Sequence, residues 1–306
     1  MQIKVKYCLA CDSTKVVFAF RGIDRLHNIE GSFDVMKCEN CGTFHRAPSL
    51  DYADLDKYYP PELYRAYLSA TSRISRMISR FGWAKKRRYV ERFVAKGRLL
   101  DVGCATGGFL DEMRRNGWDV NGVEPNESAA AIARGCGHHI VASTLANAGL
   151  PPETRDVITM WHVLEHVRDP IVELREAGRV LRKDGHLVLC VPNTRSFDAR
   201  LFRHYWAGFD VPRHSYAFSR EGLGLLLQKA GFRVVDVRSF CGGFSSLNTS
   251  LEFYLNRASR YTAFRKCIAA VTRSLLFRVL SLPLLYLLDI TGWGSVSVYT
   301  TIKVDT

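Results

Sequence analysis

From Gly97 onward, short apolar runs of strand length alternate with stretches whose apolar residues recur at helical spacing. That alternation predicts a parallel sheet covered by helices on both faces. The expected strands are Arg98–Val102, Val120–Glu124, His139–Ala142, Asp156–Met160, His186–Val191, Arg233–Ser239 and, closing the chain, Ser295–Val304. Helices are expected between them at Gly108–Asn116, Glu127–Arg134, Pro170–Val180 and Ser219–Ala230. Gly117, Gly185 and Gly231 each sit just after a helical pattern, where a C-terminal glycine is expected. Seven strands, the last arriving after a long helical insertion at about 241–291, suit a doubly wound α/β sheet.

The first hundred residues carry a different pattern. Residues 1–46 contain short β-rich pieces, Lys15–Phe20 and Ser32–Met36, and read as a small module. Residues 47–70 are rich in Tyr and Pro and read as a connector, and residues 73–95 show helical spacing of Ile74, Met77, Ile78 and Phe81. The expected organisation is therefore a module over 1–46, a connector and basic helix over 47–96, and the α/β domain over 97–306.

Composition changes this picture little: 306 residues, 47% hydrophobic and 24% charged, suffice for a sizeable core. The start MQIKVKYCLACDS has no apolar stretch of signal-peptide length. The longest apolar stretch, Val279–Leu288, is too short for a span of roughly 17–25 residues. A cytoplasmic protein is expected, with contact at the inner face of the membrane as the alternative. Charge changes the picture more. The net charge is +13, and ten Lys/Arg against the single acid Glu91 lie between Arg73 and Arg98. A second basic cluster, Arg257 to Arg278, precedes the apolar C-terminal segment. Such stripes suit an anionic small molecule, nucleic acid or lipid headgroups, or are a solvated helix face.

Cys8-x-x-Cys11 and Cys38-x-x-Cys41 are separated by 26 residues. Two such knuckles supply four thiolates at tetrahedral spacing, about 2.3 Å from a Zn²⁺ ion. All four positions are Cys, so the expected zinc is structural and closed to catalysis. The module is too small to hold itself by core burial alone, so metal would supply folding free energy. Reduced thiol pairs or a redox role are the alternatives. Cys104, Cys136, Cys190, Cys241 and Cys267 show no pairing pattern and are expected as small fillers.

The segment Leu99–Leu110, LLDVGCATGGFL, is a buried strand entering a turn of small residues with a helix directly after it. Small residues let a ligand approach backbone N–H groups at the positive end of that helix. Its pattern, Asp101-x-Gly103-x-Ala105-x-Gly107, resembles motif I of class I S-adenosylmethionine (SAM) methyltransferases, with Ala105 in place of the commoner glycine. The next strand ends at Glu124, where an acid can accept hydrogen bonds from both ribose hydroxyls. A dinucleotide-binding oxidoreductase is the alternative reading of turn and acid. A third segment, Asp156–Val167, brings Trp161 and His162 to a strand end and resembles the "vLEHv" segment of many methyltransferases, the ubiquinone-biosynthesis O-methyltransferases included. The resemblance covers roughly residues 97–240 and implies a Rossmann-like fold and SAM as methyl donor. It places Asp101, Gly103, Ala105, Gly107, Phe109, Glu124, Pro125, Trp161 and His162 at the donor. His162, Glu165 and His166 would share one helix face, as ligands of a metal or as a proton relay; otherwise Glu165 and His166 cap the following helix.

A base is needed only if the acceptor must lose a proton. His214, in the loop Asp210–Ser219, is the expected base. That loop resembles the "EH-x-s-Y-f-s" stretch of bacterial sugar methyltransferases acting on nucleotide-bound deoxysugars, which carry a Cys-rich zinc module and a Tyr-rich connector like Tyr58–Tyr67. The resemblance implies Tyr64 and Tyr67 as lid residues. Arg213 stands where those enzymes have Glu and is expected at the substrate, and their further C-terminal α/β domain is missing. Hydroxyl methylation is then at least as well supported as carbon methylation.

Three functions follow. The first is methyl transfer to a nucleotide-linked or lipid-linked glycan precursor, by a monomer or dimer. The second is RNA methylation, which the charge suits but which lacks an Asp/Asn-Pro-Pro-Phe/Tyr motif where Trp161-His162 stands. The third is a non-catalytic SAM-binding scaffold. Residues Ser274–Ile290 suit either a membrane interface or a pair of helices packing over the acceptor cleft.

Overall fold

The structure is a computed structural model describing residues 6–50, 54–55, 57–59, 73–240, 243–258 and 262–304. It divides into two compact units. One comprises Tyr59–Cys190, Leu227–Asp236 and Tyr299–Thr306; the other comprises Met1–Tyr58, Val191–Leu226 and Val237–Val298.

In chain order the elements are β1 (Val16–Ile23), β2 (Ser32–Cys38), β3 (Phe44–Ala47), α1 (Arg73–Val90), β4 (Arg98–Val102), α2 (Gly108–Arg115), β5 (Asp119–Val123), α3 (Glu127–Gly135), β6 (His139–Val141), β7 (Arg155–Trp161), α4 (Pro170–Val180) and β8 (Leu181–Pro192). There follow α5 (Phe197–Phe202), β9 (Tyr216–Ala217), α6 (Arg220–Lys229), β10 (Phe232–Arg238), α7 (Gly243–Ala258), α8 (Thr262–Arg273), α9 (Leu275–Ile290) and β11 (Val296–Lys303).

Seven strands form one sheet in the order β10-β11-β8-β7-β4-β5-β6, the expected α/β Rossmann-like architecture. The pairs from β6 through β5, β4 and β7 to β8 run parallel. Parallel strands covered on both faces need continuous apolar runs. Leu99, Leu100, Val157, Ile158 and Leu187 to Cys190 accordingly have no exposed surface. The chain runs outward from β4 to β6, then returns to β7 on the other side of β4. That reversal opens a crevice at the carboxyl ends of β4 and β7, where ligands of such sheets bind.

Local signals explain why the helices start where they do. Asn126 caps α3 by accepting the Ala129 N–H at 3.0 Å, and Asp169 caps α4 with Pro170 in its first turn. The cap of α4 is therefore Asp169, not Glu165 and His166. Residues 162–166 form turns rather than a helix, so the helical i, i+3, i+4 reading of His162, Glu165 and His166 is also corrected.

The other unit holds a second sheet, β1-β2-β3-β9, antiparallel throughout. Its last strand comes from far downstream: Phe44 pairs with Ala217 and His45 with Tyr216. Two residues give no period to read, so the sequence carries no sign of this strand. A core of Phe202, Tyr205, Trp206 and Ala217 lies beside it, with Phe44 and Phe209 packed against it. The expected helical insertion holds α7 to α9, and its segment Ser274–Ile290 forms the single helix α9 rather than a pair.

Candidate active site and cysteine cluster

The donor turn begins where β4 ends. Gly103, Ala105 and Gly107 have φ of 67°, 48° and 83°, all left-handed. Gly103 is also required sterically, since a Cβ there would lie 2.5 Å from Val163 Cγ2. Ala105 adopts the same region despite its methyl group, a strain of about 1–2 kcal/mol. Its backbone N–H donates to Glu124 Oε2 at 2.9 Å, and the Asn126 N–H donates to Oε1 at 2.9 Å. Glu124 thus ties the end of β5 to the turn. Burial pushes its carboxyl up, and the two N–H donors work against that.

Asp101 is buried at the end of β4 and accepts a 2.6 Å bond from Thr159 Oγ1. Burial raises its carboxyl to about 7, with Thr159 and Lys86 opposing. Phe109 packs edge-on against Trp161 with ring centroids 5.5 Å apart, and the buried Trp161 Nε1 has no hydrogen-bond partner among the described residues. Pro125 is exposed directly after Glu124. These residues therefore lie at the carboxyl ends of β4, β5 and β7 within one unit. A cradle of left-handed backbone, two buried acids and an unsatisfied indole N–H suit a polar adenosyl ligand.

His162 also has a left-handed backbone, φ 60°. Its Nδ1 lies 3.1 Å from Glu165 Oε1 and its Nε2 lies 3.5 Å from Cys190 Sγ. Strained non-glycine residues of this kind concentrate at functional sites. The Nδ1 of His166 is 2.9 Å from the Tyr59 hydroxyl.

Two residues of the basic helix α1 belong to this region and went unrecognised. Lys86 Nζ sits 4.6 Å from the centre of the Trp161 ring, and a Cβ on Gly108 would meet Trp83 at 2.3 Å. Their i, i+3 spacing, a Trp and a Lys on one face of an otherwise basic helix, was the available signal. Arg87 also turns inward, to Glu112 at 2.9 Å and to Glu91.

In the other unit, Arg213 is 3% exposed on its side chain. It donates to Asp24 Oδ1 at 2.9 Å, Asp210 Oδ1 at 2.7 Å and the Tyr58 carbonyl at 3.2 Å. Burial disfavours its charge, but Asp210 and Asp24 outweigh that and raise its pKa. Asp24 in turn accepts the N–H groups of Leu26, His27 and Ile29. The neighbouring His214 holds its Nδ1 2.9 Å from the Gly208 carbonyl, with Nε2 4.0 Å from Asp210 Oδ2. Tyr64 and Tyr67 lie outside the described residues.

The four cysteines come together as the spacing predicts. Cys8 and Cys41 Sγ are 3.6 Å apart, Cys11 and Cys38 Sγ 3.5 Å, and all four sulfurs lie within 4.8 Å of one another. A tetrahedral thiolate site has sulfur–sulfur edges of about 3.8 Å, so this donor set fits a single soft divalent ion. His45 Nε2 stands 3.2 Å from Cys8 Sγ, and burial lowers its imidazole to about 4. A neutral histidine there can donate to a thiolate, an outer-shell role the sequence did not indicate. Ser219 donates to the Cys41 carbonyl, tying the cluster to the start of α6.

The family model described as a methyltransferase domain matches residues 70–237, more than half of the chain. The chain belongs to this methyltransferase-domain family. Residues 70–237 are accordingly a SAM-dependent methyltransferase domain, in agreement with the donor geometry. A ubiquinone biosynthesis O-methyltransferase of Aliivibrio fischeri (strain MJ11) is 33% identical over 112 residues, which cover 34% of this chain and 47% of that protein. Its counterpart in Ruegeria pomeroyi is 32% identical over 166 residues, covering 49% of this chain and 65% of that protein. The chain spans about half to two thirds of the length of these relatives. Among solved structures, a chain in the complex of a Haloferax volcanii methyltransferase activator with a putative methyltransferase superposes with a TM-score of 0.50. It is 12% identical and covers 73% of this chain and 90% of that one, a likeness of fold alone. Among the described residues, no helix is long and apolar enough to cross a membrane.

Proposed function

We propose that the protein methylates a hydroxyl of a small anionic acceptor, a nucleotide-linked or lipid-linked sugar of glycan or secondary-metabolite biosynthesis, with SAM as donor. Carbon methylation of the same acceptor class is the lesser form of this reading. Asp101, Glu124, Phe109 and Trp161 would hold SAM, Asp101 taking the methionyl amino group, Glu124 the ribose hydroxyls and the two rings the adenosyl group, and SAM would supply the methyl group. The expected lid residues Tyr64 and Tyr67 and the module boundaries at 46 and 96 belong to the same proposal.

The observation that carries the base assignment is the contact of His214 with Gly208. A carbonyl oxygen only accepts, so Nδ1 bears the proton and Nε2 of the neutral ring bears the lone pair. Nε2 then takes the acceptor hydroxyl proton as the oxygen–methyl bond forms. The sulfur–methyl bond breaks, and its electron pair stays on sulfur, which loses its positive charge. Alignment and exclusion of water supply much of the remaining rate. Zinc on Cys8, Cys11, Cys38 and Cys41 supplies folding free energy to the N-terminal strands and takes no part in the chemistry.

The RNA alternative drew on the basic stripe of α1, and Lys86 and Arg87 of that stripe have partners inside the protein. The test is incubation with methyl-labelled SAM and cell extract separated into RNA, nucleotide-sugar and lipid fractions. Label is expected in the sugar or lipid fraction; label in RNA alone overturns the proposal. His214→Ala is expected to lower turnover about 10²–10⁴-fold with SAM affinity unchanged. Full turnover by that variant removes His214 from the base role.

A further inference from the structure

Helix α9 and a cavity at its C-terminal end share no residue with the expected donor site. Leu276, Val279, Leu280, Leu282, Leu284, Tyr286, Leu287 and Ile290 are all exposed, Leu276 by 69% and Leu280 by 68%. At 100° per residue, Leu276, Leu280, Leu287 and Ile290 project within about 40° of one direction. With the remaining exposed positions and Pro283 they make an arc that carries no charge. The two charged residues of the helix, Arg278 and Asp289, lie on the opposite side. Scattered apolar residues on a surface need no explanation, but a continuous arc of this length marks an interaction site.

The helix ends at Thr291 and Gly292, and there a cavity of about 370 Å³ opens. Four guanidinium groups line it, from Arg195, Arg200, Arg220 and Arg238, against one carboxylate, Asp289. Arg200 lies 4.5 Å over the ring of Trp293, which is itself 43% exposed. Arg195 also reaches Glu221 at 2.8 Å. An arginine-lined hollow selects phosphate oxygens, because each guanidinium offers a fork of donors matched to them.

We infer that this surface docks the protein on an anionic phospholipid bilayer, with α9 lying in the interface and lipid phosphate held in the arginine cavity. Four observations favour a bilayer over other occupants. The uncharged arc is apolar along the whole helix, as an acyl boundary requires. Ile290 belongs both to the arc and to the cavity lining, so the apolar and phosphate-selecting surfaces adjoin at the end of the same helix. The helix has 16 residues, about 24 Å, and suits lying in the interface rather than crossing about 30 Å of hydrocarbon. A Trp at the cavity mouth is at home at headgroup depth.

The test uses the full chain and flotation with vesicles of phosphatidylcholine alone or mixed with phosphatidylglycerol. The inference predicts binding at least about tenfold stronger to the mixed vesicles, weakened by salt. A double variant, Leu280→Glu with Leu287→Glu, is expected to abolish flotation. Arg200→Gln with Arg220→Gln is expected to lower binding to mixed vesicles about tenfold and to flatten its salt dependence. SAM binding, measured on the same samples, is expected to be unchanged and serves as the control for folding. Three results overturn the inference: equal flotation with both vesicle types; no flotation while glycerol phosphate binds in solution, which makes the cavity a free-ligand site; or a dimer that Leu280→Glu dissociates and that ignores vesicles. None of these readouts involves turnover, so the inference and the acceptor proposal fail separately.

Discussion

The two units bury carboxylates in different company. In the donor unit, Asp101 and Glu173 have almost no exposed surface, and among the described residues no cation hydrogen-bonds to either carboxylate. Burial, helped by Glu124 beside Asp101 and by Glu176 and Asp169 beside Glu173, pushes both up to about 7. In the other unit, Asp24 is as deeply buried, but Arg213 pairs with it and Asp210 pairs with Arg213 in turn. A buried acid without a cation remains a titrating group, suited to meeting a cationic ligand. A buried acid with a bidentate partner becomes a structural tie. Asp101 belongs to the first kind and the Asp210–His214 loop is anchored by the second.

Removing the cysteine ligation should have the largest effect on the tied unit. Cys38→Ser is expected to lower zinc content from one per chain to near none by elemental analysis and to lower the thermal midpoint sharply, because apparent zinc-site free energies run to about 10–16 kcal/mol. A thermal midpoint of Cys38→Ser equal to that of the zinc-loaded parent, with no change in the parent when chelator is added, would refute a folding role for metal. Arg213→Ala comes next. It leaves Asp24 and Asp210 without their cation, and chemical denaturation should show a loss of about 3–5 kcal/mol with SAM affinity changed little. A comparable loss of SAM affinity would erase the contrast between the units.

Gly103→Val reverses the pattern. It imposes a branched side chain on a φ of 67° with Val163 in the way, so calorimetry should show donor affinity down by about 100-fold or more. Zinc content should stay intact.

The smallest effect tests the lone acids. With folded pKa near 7 and ordinary values near 4, the native state holds the extra protons between those limits. Stability should therefore fall as pH rises from about 4 to 7, then level. Glu173→Gln removes one share of that fall, so its stability relative to the parent should rise by about 1–3 kcal/mol between pH 5 and pH 8. A parallel pH profile for parent and variant would show that Glu173 does not titrate in the native state.

Much of the donor unit was legible because its information is local. The Asp101–Gly107 turn needs small residues at left-handed positions, β4 and β7 need unbroken apolar runs, and Asp169-Pro170 announces a helix start. Strand positions matched to within a few residues on that basis, and the paired CxxC knuckles met as their spacing required. What escaped depended on distant partners. Lys86 read as one more basic residue until Trp161 lay beneath it, and Tyr216–Ala217 had no strand character until β3 offered an edge. Arg213 was expected at the substrate from its place in the Asp210–Ser219 loop, but its guanidinium pairs with Asp24, nearly two hundred residues away.

By itself, then, the amino-acid sequence determined the α/β class, the donor turn with its following acid, and the four-cysteine cluster, since each arises from residue types at short spacing. Only the tertiary structure decided which charges are spent on the fold and which remain available, because that depends on what burial brings within hydrogen-bond reach. It also decided that the apolar residues of α9 stay uncovered beside an arginine-lined hollow. The same apolar spacing would have served a buried helix equally well.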